Sequence, residues 1–193
     1  MYYNERIENK EVTIMDRNDI LRENGMESLS ELYRMGRGPS SSHTMGPERA
    51  CLLFLARNPS ADRFRAVLFG SLAKTGEGHG TDRVIKKTFA EIPCEVVFDR
   101  ETEGLPHPNT MDLYAYREGA EVDFVRVMSV GGGRICAEGE ELGEAPVIYP
   151  HRTFDDIAAY CRENDLRLYE YVEQVEGPAL AVHMERVWET MKQ

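Results

Sequence analysis

Five consecutive polar side chains form the stretch of this sequence best suited to chemistry. They are Ser40, Ser41, Ser42, His43 and Thr44, with Gly38-Pro39 before them and Gly46-Pro47 after them. The apolar spacing of residues 48–57 predicts a helix, and Pro47 suits its first turn. The polar run therefore precedes a helix N-terminus, where unpaired N–H groups and the helix dipole favour an anion. We interpret it as a site for a carboxylate-sized ligand; the alternative is a helix cap with surplus serines.

A second stretch, residues 70–82, contains four glycines and one histidine. We expect a loop whose glycines let the backbone come close to another part of the chain. His79 lies just before a predicted helix, as His43 does. One loop histidine is usually a structural hydrogen bonder, but two with the same placement favour a shared polar cleft. We predict that loops 40–44 and 78–82 lie side by side, with further ligand-binding groups at Gly78, Gly80, Thr81 and Asp82.

Two more elements present polar groups beside predicted strands. His107 lies between Pro106 and Pro108, which favour an extended segment, and Asn109 follows. Gly131, Gly132 and Gly133 end a predicted strand. Three consecutive glycines permit either a close backbone approach or an anion-binding nest.

The elements that position these groups can be read from apolar periodicity. Strands are predicted at 63–70, 95–98, 111–117, 121–130, 135–137 and 147–149, and helices at 27–35, 48–57, 82–92, 155–163, 166–175 and 179–192. Glu118-Gly119-Ala120 joins two of the strands as a hairpin. The predicted fold class is α+β: a mixed or antiparallel sheet with helices packed on it, plus a C-terminal helical tail. We divide the chain into a charged, loosely ordered segment (1–24), an α/β domain (25–150) and a helical segment (151–193).

Composition excludes several classes of function. The chain has 193 residues, of which 41% are hydrophobic, and a net charge of −11. This charge argues against nucleic acid and anionic membranes as partners. The sequence has no apolar run typical of a membrane span or a secretory signal, so we expect a cytoplasmic protein. The four cysteines lack the close spacing of zinc or iron–sulfur sites, and we expect no metal site in this chain: Cys51, Cys94, Cys136 and Cys161.

Five motifs together resemble the β domain or β subunit of the bacterial iron–sulfur L-serine dehydratases, or L-serine ammonia-lyases. The serine run is the most specific of them, and together they span most of the chain. The motifs are residues 38–47, Gly70-Ser71-Leu72 with residues 78–82, His107-Pro108-Asn109-Thr110, Ser129-Val130-Gly131-Gly132-Gly133, and Val187-Trp188-Glu189-Thr190-Met191.

The resemblance implies a lyase of amino-acid catabolism and gluconeogenesis that converts L-serine to pyruvate and ammonia. It implies that a [4Fe–4S] cluster in a catalytic α subunit acts on the serine hydroxyl, while a base removes the α-proton. It places His43 and His79 on the active-site side, facing that α partner. The β part of the family resembles the allosteric substrate-binding domain of certain phosphoglycerate dehydrogenases. Its effector site for L-serine would involve His107, Asn109, Gly131, Gly132 and Gly133.

The sequence departs from the family pattern, and two functions stay open. It lacks the α region with its cluster cysteines and the small effector module of separate β subunits, and Arg134 replaces an apolar residue. The first hypothesis is a β component that is inactive as an isolated chain and works with a separate α subunit. The alternative is a stand-alone module that binds an amino acid without catalysis. We expect a homo-oligomer or a heteromer.

Overall fold

A five-stranded mixed sheet forms the framework of the larger of two units in the computed structural model, which describes residues 26–140 and 146–193. Among these, the larger unit comprises residues 30–140 and 184–193, and the smaller unit comprises 26–29 and 146–183. The strands are β1 (Arg63–Leu68), β2 (Cys94–Phe98), β3 (Thr110–Arg117), β4 (Ala120–Gly131) and β5 (Arg134–Ala137). Their order is β2-β1-β3-β4-β5, and only the β1–β2 pair is parallel. The predicted α+β class with a mixed sheet is confirmed.

Alternation of apolar side chains directs one face of this sheet into the core. The inward residues of the two central strands are almost fully buried: Phe64, Ala66 and Leu68 on β1, and Met111, Leu113 and Ala115 on β3. The predicted hairpin joins β3 to β4 through Glu118-Gly119, whose φ angles are 53° and 82°. Two positive φ values are typical of a type I′ turn, the turn whose twist matches that of the strands it joins.

The helices of the larger unit cover the apolar face of the sheet. The first four helices of the described residues are α1 (Leu29–Leu32), α2 (Met45–Arg57), α3 (Gly70–His79) and α4 (Thr81–Phe89). The ring of Phe64 stacks on Phe89 of α4, with 4.1 Å between ring centroids, and meets Phe54 of α2 edge-on. Burying aromatic side chains of this size contributes roughly 2–3 kcal/mol each, so this cluster fixes both helices on the sheet.

The opposite face of the sheet carries a buried carboxylate. Asp112 of β3 is paired with Arg126 of β4 in the strand register, and only 3% of its side chain is exposed. The Arg126 guanidinium donates two hydrogen bonds to this carboxylate, at 2.7 and 2.8 Å, and lies over the ring of Phe69. The positive charge of Arg126 offsets the free-energy cost of burying the Asp112 carboxylate in the sheet.

Four predicted elements differ in the structure. Residues 70–82, predicted as a loop, form α3 and the start of α4, because Leu72, Ala73 and Gly76 are buried and this packing outweighs the low helix propensity of glycine. Helix α2 begins at Met45, whereas we predicted Glu48. The helix predicted at 27–35 is reduced to α1, and the strand predicted at 147–149 is an isolated bridge between Glu27 and Val147.

The smaller unit is helical, as predicted for this part of the chain. It contains α5 (Phe154–Glu163) and α6 (Leu168–Glu176), and α7 (Pro178–Met191) begins in it and ends in the larger unit. Tyr149, Cys161 and Tyr171 form its buried cluster. The prediction for residues 1–24 lies outside the described residues. No helix in the part of the chain that the structure describes has the length and apolarity needed to cross a membrane.

Candidate functional site

The two predicted histidines are in contact. The centroids of the His43 and His79 rings are 4.6 Å apart, and the ring planes are inclined by 35°. His43 lies in a turn of residues 40–44, here called the serine turn, directly before α2, and His79 is the last residue of α3. The prediction that these two segments lie side by side is confirmed. We call the two residues the histidine pair.

Hydroxyl groups surround the His43 ring at both nitrogens. Nδ1 is 3.0 Å from the Ser42 hydroxyl and 3.3 Å from that of Ser40. Nε2 is 2.9 Å from the Thr75 hydroxyl, 3.3 Å from that of Ser71 and 3.4 Å from the Ser71 carbonyl oxygen. His43 is 7% exposed, and this burial lowers the pKa of its imidazole. The Ser71 carbonyl opposes the shift and the neighbouring His79 adds to it, so His43 is neutral at pH 7.

Internal hydrogen bonds occupy three backbone amides of the serine turn and the start of α2. The amides of His43 and Thr44 donate to the Ser40 carbonyl, at 3.1 and 2.9 Å, and the amide of Gly46 donates to Ser41, at 2.9 Å. These amides are therefore not available to the anion that the sequence suggested. The serine side chains and the histidine pair are the groups of this turn that remain for chemistry.

Two threonines predicted to bind a ligand stabilise the fold of the site. The hydroxyl of Thr44 donates to the Ser40 carbonyl, at 2.7 Å, and contacts the carbonyl of Arg37. The hydroxyl of Thr81, at the start of α4, donates to the His43 carbonyl, at 2.7 Å. Both residues are 0% exposed. The Thr81 bond fixes the serine turn against the α3–α4 junction, and this contact places the two histidines together.

The remaining residues of the second predicted loop occupy the α3–α4 junction. Gly80 has a φ of 73° and separates the two helices, which accounts for glycine there. Asp82 is in the first turn of α4 and partly exposed. Gly78 has open space where a Cβ would be, so no neighbouring residue requires glycine at this position for a close contact. Roles in ligand binding for these three residues stay predictions.

The His107–Asn109 segment is held to the end of β4. The Asn109 amide N–H donates to His107 Nδ1, at 3.0 Å, and its side-chain Nδ2 donates to the Ser129 carbonyl, at 3.3 Å. The Ser129 amide donates back to the Asn109 carbonyl, at 2.9 Å. Asn109 Oδ1 and Ser129 Oγ are buried without a hydrogen-bond partner among the described residues. Two buried polar atoms without a partner, on residues that are hydrogen-bonded to each other, are the feature expected of a site that binds a polar ligand.

The triple glycine has a simpler local explanation than an anion nest. Gly132 and Gly133, with φ of 56° and 72°, are the two-residue turn between β4 and β5, another type I′ turn. Gly133 also permits a close approach, since a Cβ there would lie 3.1 Å from the Cβ of Met45. Gly131, with φ of 102°, lies at the irregularity in the strand pairing. The effector role of these glycines stays a prediction.

Two glycines join the serine turn and α3 to the His107–Asn109 segment. A Cβ on Gly46 would lie 2.0 Å from Ser129 Oγ, and a Cβ on Gly70 would lie 2.5 Å from the Pro108 carbonyl oxygen. The Ser71 amide also donates to that carbonyl, at 2.7 Å. The structure thus brings the two predicted sites into direct contact through glycine.

Sequence analysis missed three residues of this cluster: Ser71, Thr75 and Ser129. The signal for two of them was present, because Ser71, Thr75 and His79 are spaced four residues apart. This spacing puts all three on one face of a helix, but only if residues 70–79 are recognised as helical.

The four cysteines lack the features that an iron–sulfur cluster site needs. Cys51 is 0% exposed in the core of the larger unit, and Cys161 belongs to the buried cluster of the smaller one. Burial raises the pKa of the Cys51 thiol well above its usual value, and raises that of Cys94 to about 12. Within residues 26–140 and 146–193, no three metal-ligating side chains lie close enough to share an ion.

Comparison with known proteins identifies the family. The model of the family described as serine dehydratase beta chain matches residues 28–92, which include the serine turn and His79. The chain belongs to this family. An L-serine dehydratase of Mycobacterium bovis is 52% identical over a match that covers 74% of this chain and 41% of that protein.

Two further relatives cover more of the chain. The L-serine dehydratase of Streptomyces coelicolor is 32% identical, covering 83% of this chain and 44% of the relative. L-serine dehydratase 1 of Escherichia coli is 30% identical over a match that covers 86% of this chain and 48% of the relative. The family member described here therefore spans less than half the length of these relatives.

Proposed function

We propose that this chain is the β component of an L-serine dehydratase that converts L-serine to pyruvate and ammonia. The observation that carries the proposal is the contact between His43 and His79 inside a cluster of hydroxyls. The relatives are named L-serine dehydratase, and the chain spans less than half of their length. A separate α polypeptide would hold the [4Fe–4S] cluster, since the cysteines of this chain do not fit one. No step assigned here runs through that cluster.

The histidine pair offers two different nitrogens for proton chemistry. His79 Nδ1 is 2.8 Å from the Thr75 carbonyl oxygen. A carbonyl only accepts hydrogen bonds, so Nδ1 carries the proton and Nε2 of a neutral His79 keeps its lone pair. We assign the abstraction of the α-proton of L-serine to this Nε2. The Cα–H electron pair then forms the Cα=Cβ bond as the Cβ–O bond breaks, and the leaving hydroxide takes the proton from the His79 imidazolium and departs as water. The enamine tautomerises to an imine, which a water molecule hydrolyses to pyruvate and ammonia.

The neutral His43 has a supporting task in this proposal. It lies beside His79 and takes no positive charge at pH 7, so it does not repel the imidazolium that forms when His79 accepts the proton. The Ser42 hydroxyl donates to its Nδ1, and the Ser40 hydroxyl, 3.3 Å from the same nitrogen, can orient the carboxylate of the substrate. The α partner would bind the rest of the amino acid.

A second candidate function rests on a different observation. Asn109 Oδ1 and Ser129 Oγ are buried and unpaired among the described residues, and the first is an acceptor that suits an ammonium group. These atoms support an L-serine effector site at His107–Asn109, which would serve either an allosteric dehydratase or a stand-alone amino-acid-binding module. Catalysis by the histidine pair is the property that separates the two functions.

The deciding experiment is reconstitution under anaerobic conditions. The chain is co-produced with the part of the Mycobacterium bovis L-serine dehydratase that it does not match, and pyruvate formed from L-serine is measured. We expect no pyruvate from the chain alone and turnover from the complex. His79→Ala should lower that turnover by roughly 10²-fold or more, the usual scale for a lost acid–base group.

His183→Ala is the control, because this histidine of α7 belongs to the smaller unit and the histidine pair to the larger one. A complex with full turnover after His79→Ala would overturn the catalytic assignment. L-serine binding without any turnover in the complex would favour the stand-alone module.

A further inference from the structure

Thr75 contacts both members of the histidine pair, through two different groups. Its hydroxyl oxygen is 2.9 Å from His43 Nε2. Its backbone carbonyl oxygen is 2.8 Å from His79 Nδ1. Thr75 lies on α3 four residues before His79, so one helical turn carries both contacts.

The direction of each hydrogen bond follows from the chemistry of the groups. The Thr75 hydroxyl donates its single hydrogen to the Ser71 carbonyl, at 2.9 Å, the bond that threonine commonly makes one turn back along a helix. Towards His43 this oxygen then acts as an acceptor, so His43 Nε2 carries the proton. His43 Nδ1 keeps its lone pair and accepts from the Ser42 hydroxyl, which lies 3.0 Å away.

The same residue gives His79 the opposite tautomer. The Thr75 carbonyl has no hydrogen to donate, so His79 Nδ1 must be the donor. The two neighbouring rings are therefore protonated at different nitrogens, Nε2 on His43 and Nδ1 on His79. Neither site nitrogen, Nδ1 of His43 or Nε2 of His79, carries a proton while its ring is neutral.

We infer that Thr75 is a positioning residue that sets the tautomers of both histidines, and so leaves the His43 Nδ1 lone pair for the Ser42 hydroxyl and the His79 Nε2 lone pair for proton transfer. The catalytic meaning of this inference rests on the proposed function, but the tautomers themselves do not. Thr75 touches neither the reacting atoms nor the substrate in this assignment, and it acts through the two imidazoles.

The test is the ¹⁵N NMR of the full chain labelled at histidine, recorded at about pH 7.5, where ordinary imidazole is mostly neutral. Long-range ¹H–¹⁵N correlations distinguish a protonated ring nitrogen from an unprotonated one. We expect His43 to be protonated at Nε2 and His79 at Nδ1. His43 as the Nδ1–H tautomer, or His79 as the Nε2–H tautomer, would overturn the inference.

Variants of Thr75 distinguish the effect of its hydroxyl on His43 from the effect of its carbonyl on His79. Thr75→Val keeps the shape and the carbonyl but removes the hydroxyl, so the Nε2 resonance of His43 should move from the protonated towards the unprotonated position while His79 is unchanged. Thr75→Ser keeps both groups and should resemble the wild type. Thr88→Val is the matched control, because the Thr88 hydroxyl donates one turn back to Val84 on α4, away from both histidines.

An unchanged His43 tautomer in Thr75→Val, or an equal change in Thr88→Val, would contradict the inference. If Thr75→Val does not fold, the tautomers of the wild-type chain still decide the question. In the reconstituted complex, Thr75→Val should lower kcat by roughly 10-fold, because the changed tautomer of His43 disturbs the serine hydroxyls beside it while the His79 proton acceptor is unchanged, and Thr75→Ser should restore kcat. Failure of the complex to turn over would weaken the proposed function and leave the NMR result standing.

Discussion

Replacing Gly46 by alanine tests whether the serine turn and the end of β4 form one packed structure. The new Cβ would lie 2.0 Å from Ser129 Oγ and 2.9 Å from Ser129 Cβ. Ordinary contacts between such atoms are longer by more than 1 Å, so either α2 or β4 must move. Ser129 is 2% exposed and its amide is bonded to Asn109, so it has little freedom to turn away.

The expected magnitude combines two opposing effects. Overpacking in a buried site costs about 1–3 kcal/mol. Alanine gains up to about 1 kcal/mol over glycine in a helix, and less in the first turn of α2, where Gly46 lies. The net loss in the free energy of unfolding should therefore be about 1–2 kcal/mol. For a chain of this length that corresponds to a fall in Tm of roughly 2–8 °C.

Calorimetry on four proteins measures the effect and identifies its cause: the wild type, Gly46→Ala, Ser129→Gly and the double variant. Removing the Ser129 side chain should relieve the contact, so Gly46→Ala should cost at least about 1 kcal/mol less in the Ser129→Gly background. Gly78→Ala is the control, because nothing lies where its Cβ would be, and it should be neutral or stabilising. Equal stability of Gly46→Ala and wild type, or no coupling in the cycle, would refute the packing argument.

Two further predictions concern charged groups away from the histidine pair. Asp112→Asn should lower the free energy of unfolding by about 3 kcal/mol in urea titrations, because it leaves Arg126 without its buried carboxylate. Glu95→Gln, in the exposed Arg65–Glu95 pair, is the control and should change that free energy by less than about 1 kcal/mol. Equal losses of stability in the two variants would contradict this prediction. Burial raises the pKa of Glu176, but hydrogen bonds from Ser28, the Leu29 amide and Tyr149 lower it more, so its net pKa is below the ordinary value. Its stabilising effect is complete above the unfolded pKa of about 4.3 and is lost as the pH falls through the folded pKa, so the stability difference between wild type and Glu176→Gln should shrink between about pH 6 and pH 3. A difference that stays constant or grows on acidification would be evidence against this role of Glu176.

The sheet could be predicted from the sequence because its signals are local. Alternation identified β1, β3 and β4 to within a few residues, and Glu118-Gly119-Ala120 between two alternating strands indicated the hairpin. The contact between His43 and His79 could also be predicted, because each lies next to the start of a helix. These conclusions needed only residue types and spacing.

Helix α3 could not be predicted, because its stability comes from tertiary contacts. Three of its ten residues are glycines, and each costs about 1 kcal/mol relative to alanine in a helix interior. The compensation is the burial of Leu72 and Ala73 and the close approach of Gly76 to Thr81, whose side chain would be 3.0 Å from a Cβ there. Because residues 70–82 were predicted as a loop, Ser71 and Thr75 were not included in the predicted site. Their alignment with His79 exists only on a helix.

The glycines of this region are better explained by contact between the two predicted sites than by ligand binding at each. Gly46 allows α2, which follows His43, to approach Ser129, and Gly70 allows α3, which carries His79, to approach Pro108. Both helices therefore contact direct neighbours of Asn109, because the Ser129 amide donates to the Asn109 carbonyl. On the proposed function, a ligand that orders Asn109 and Ser129 would act on groups already in contact with both helices. Contact alone does not establish energetic coupling. The Gly46→Ala variant supplies the missing measurement: if the coupling is real, the affinity of the chain for L-serine should change together with its stability. Relief of the clash by Ser129→Gly should then restore stability without restoring the affinity, because Ser129 Oγ is itself one of the two unpaired atoms.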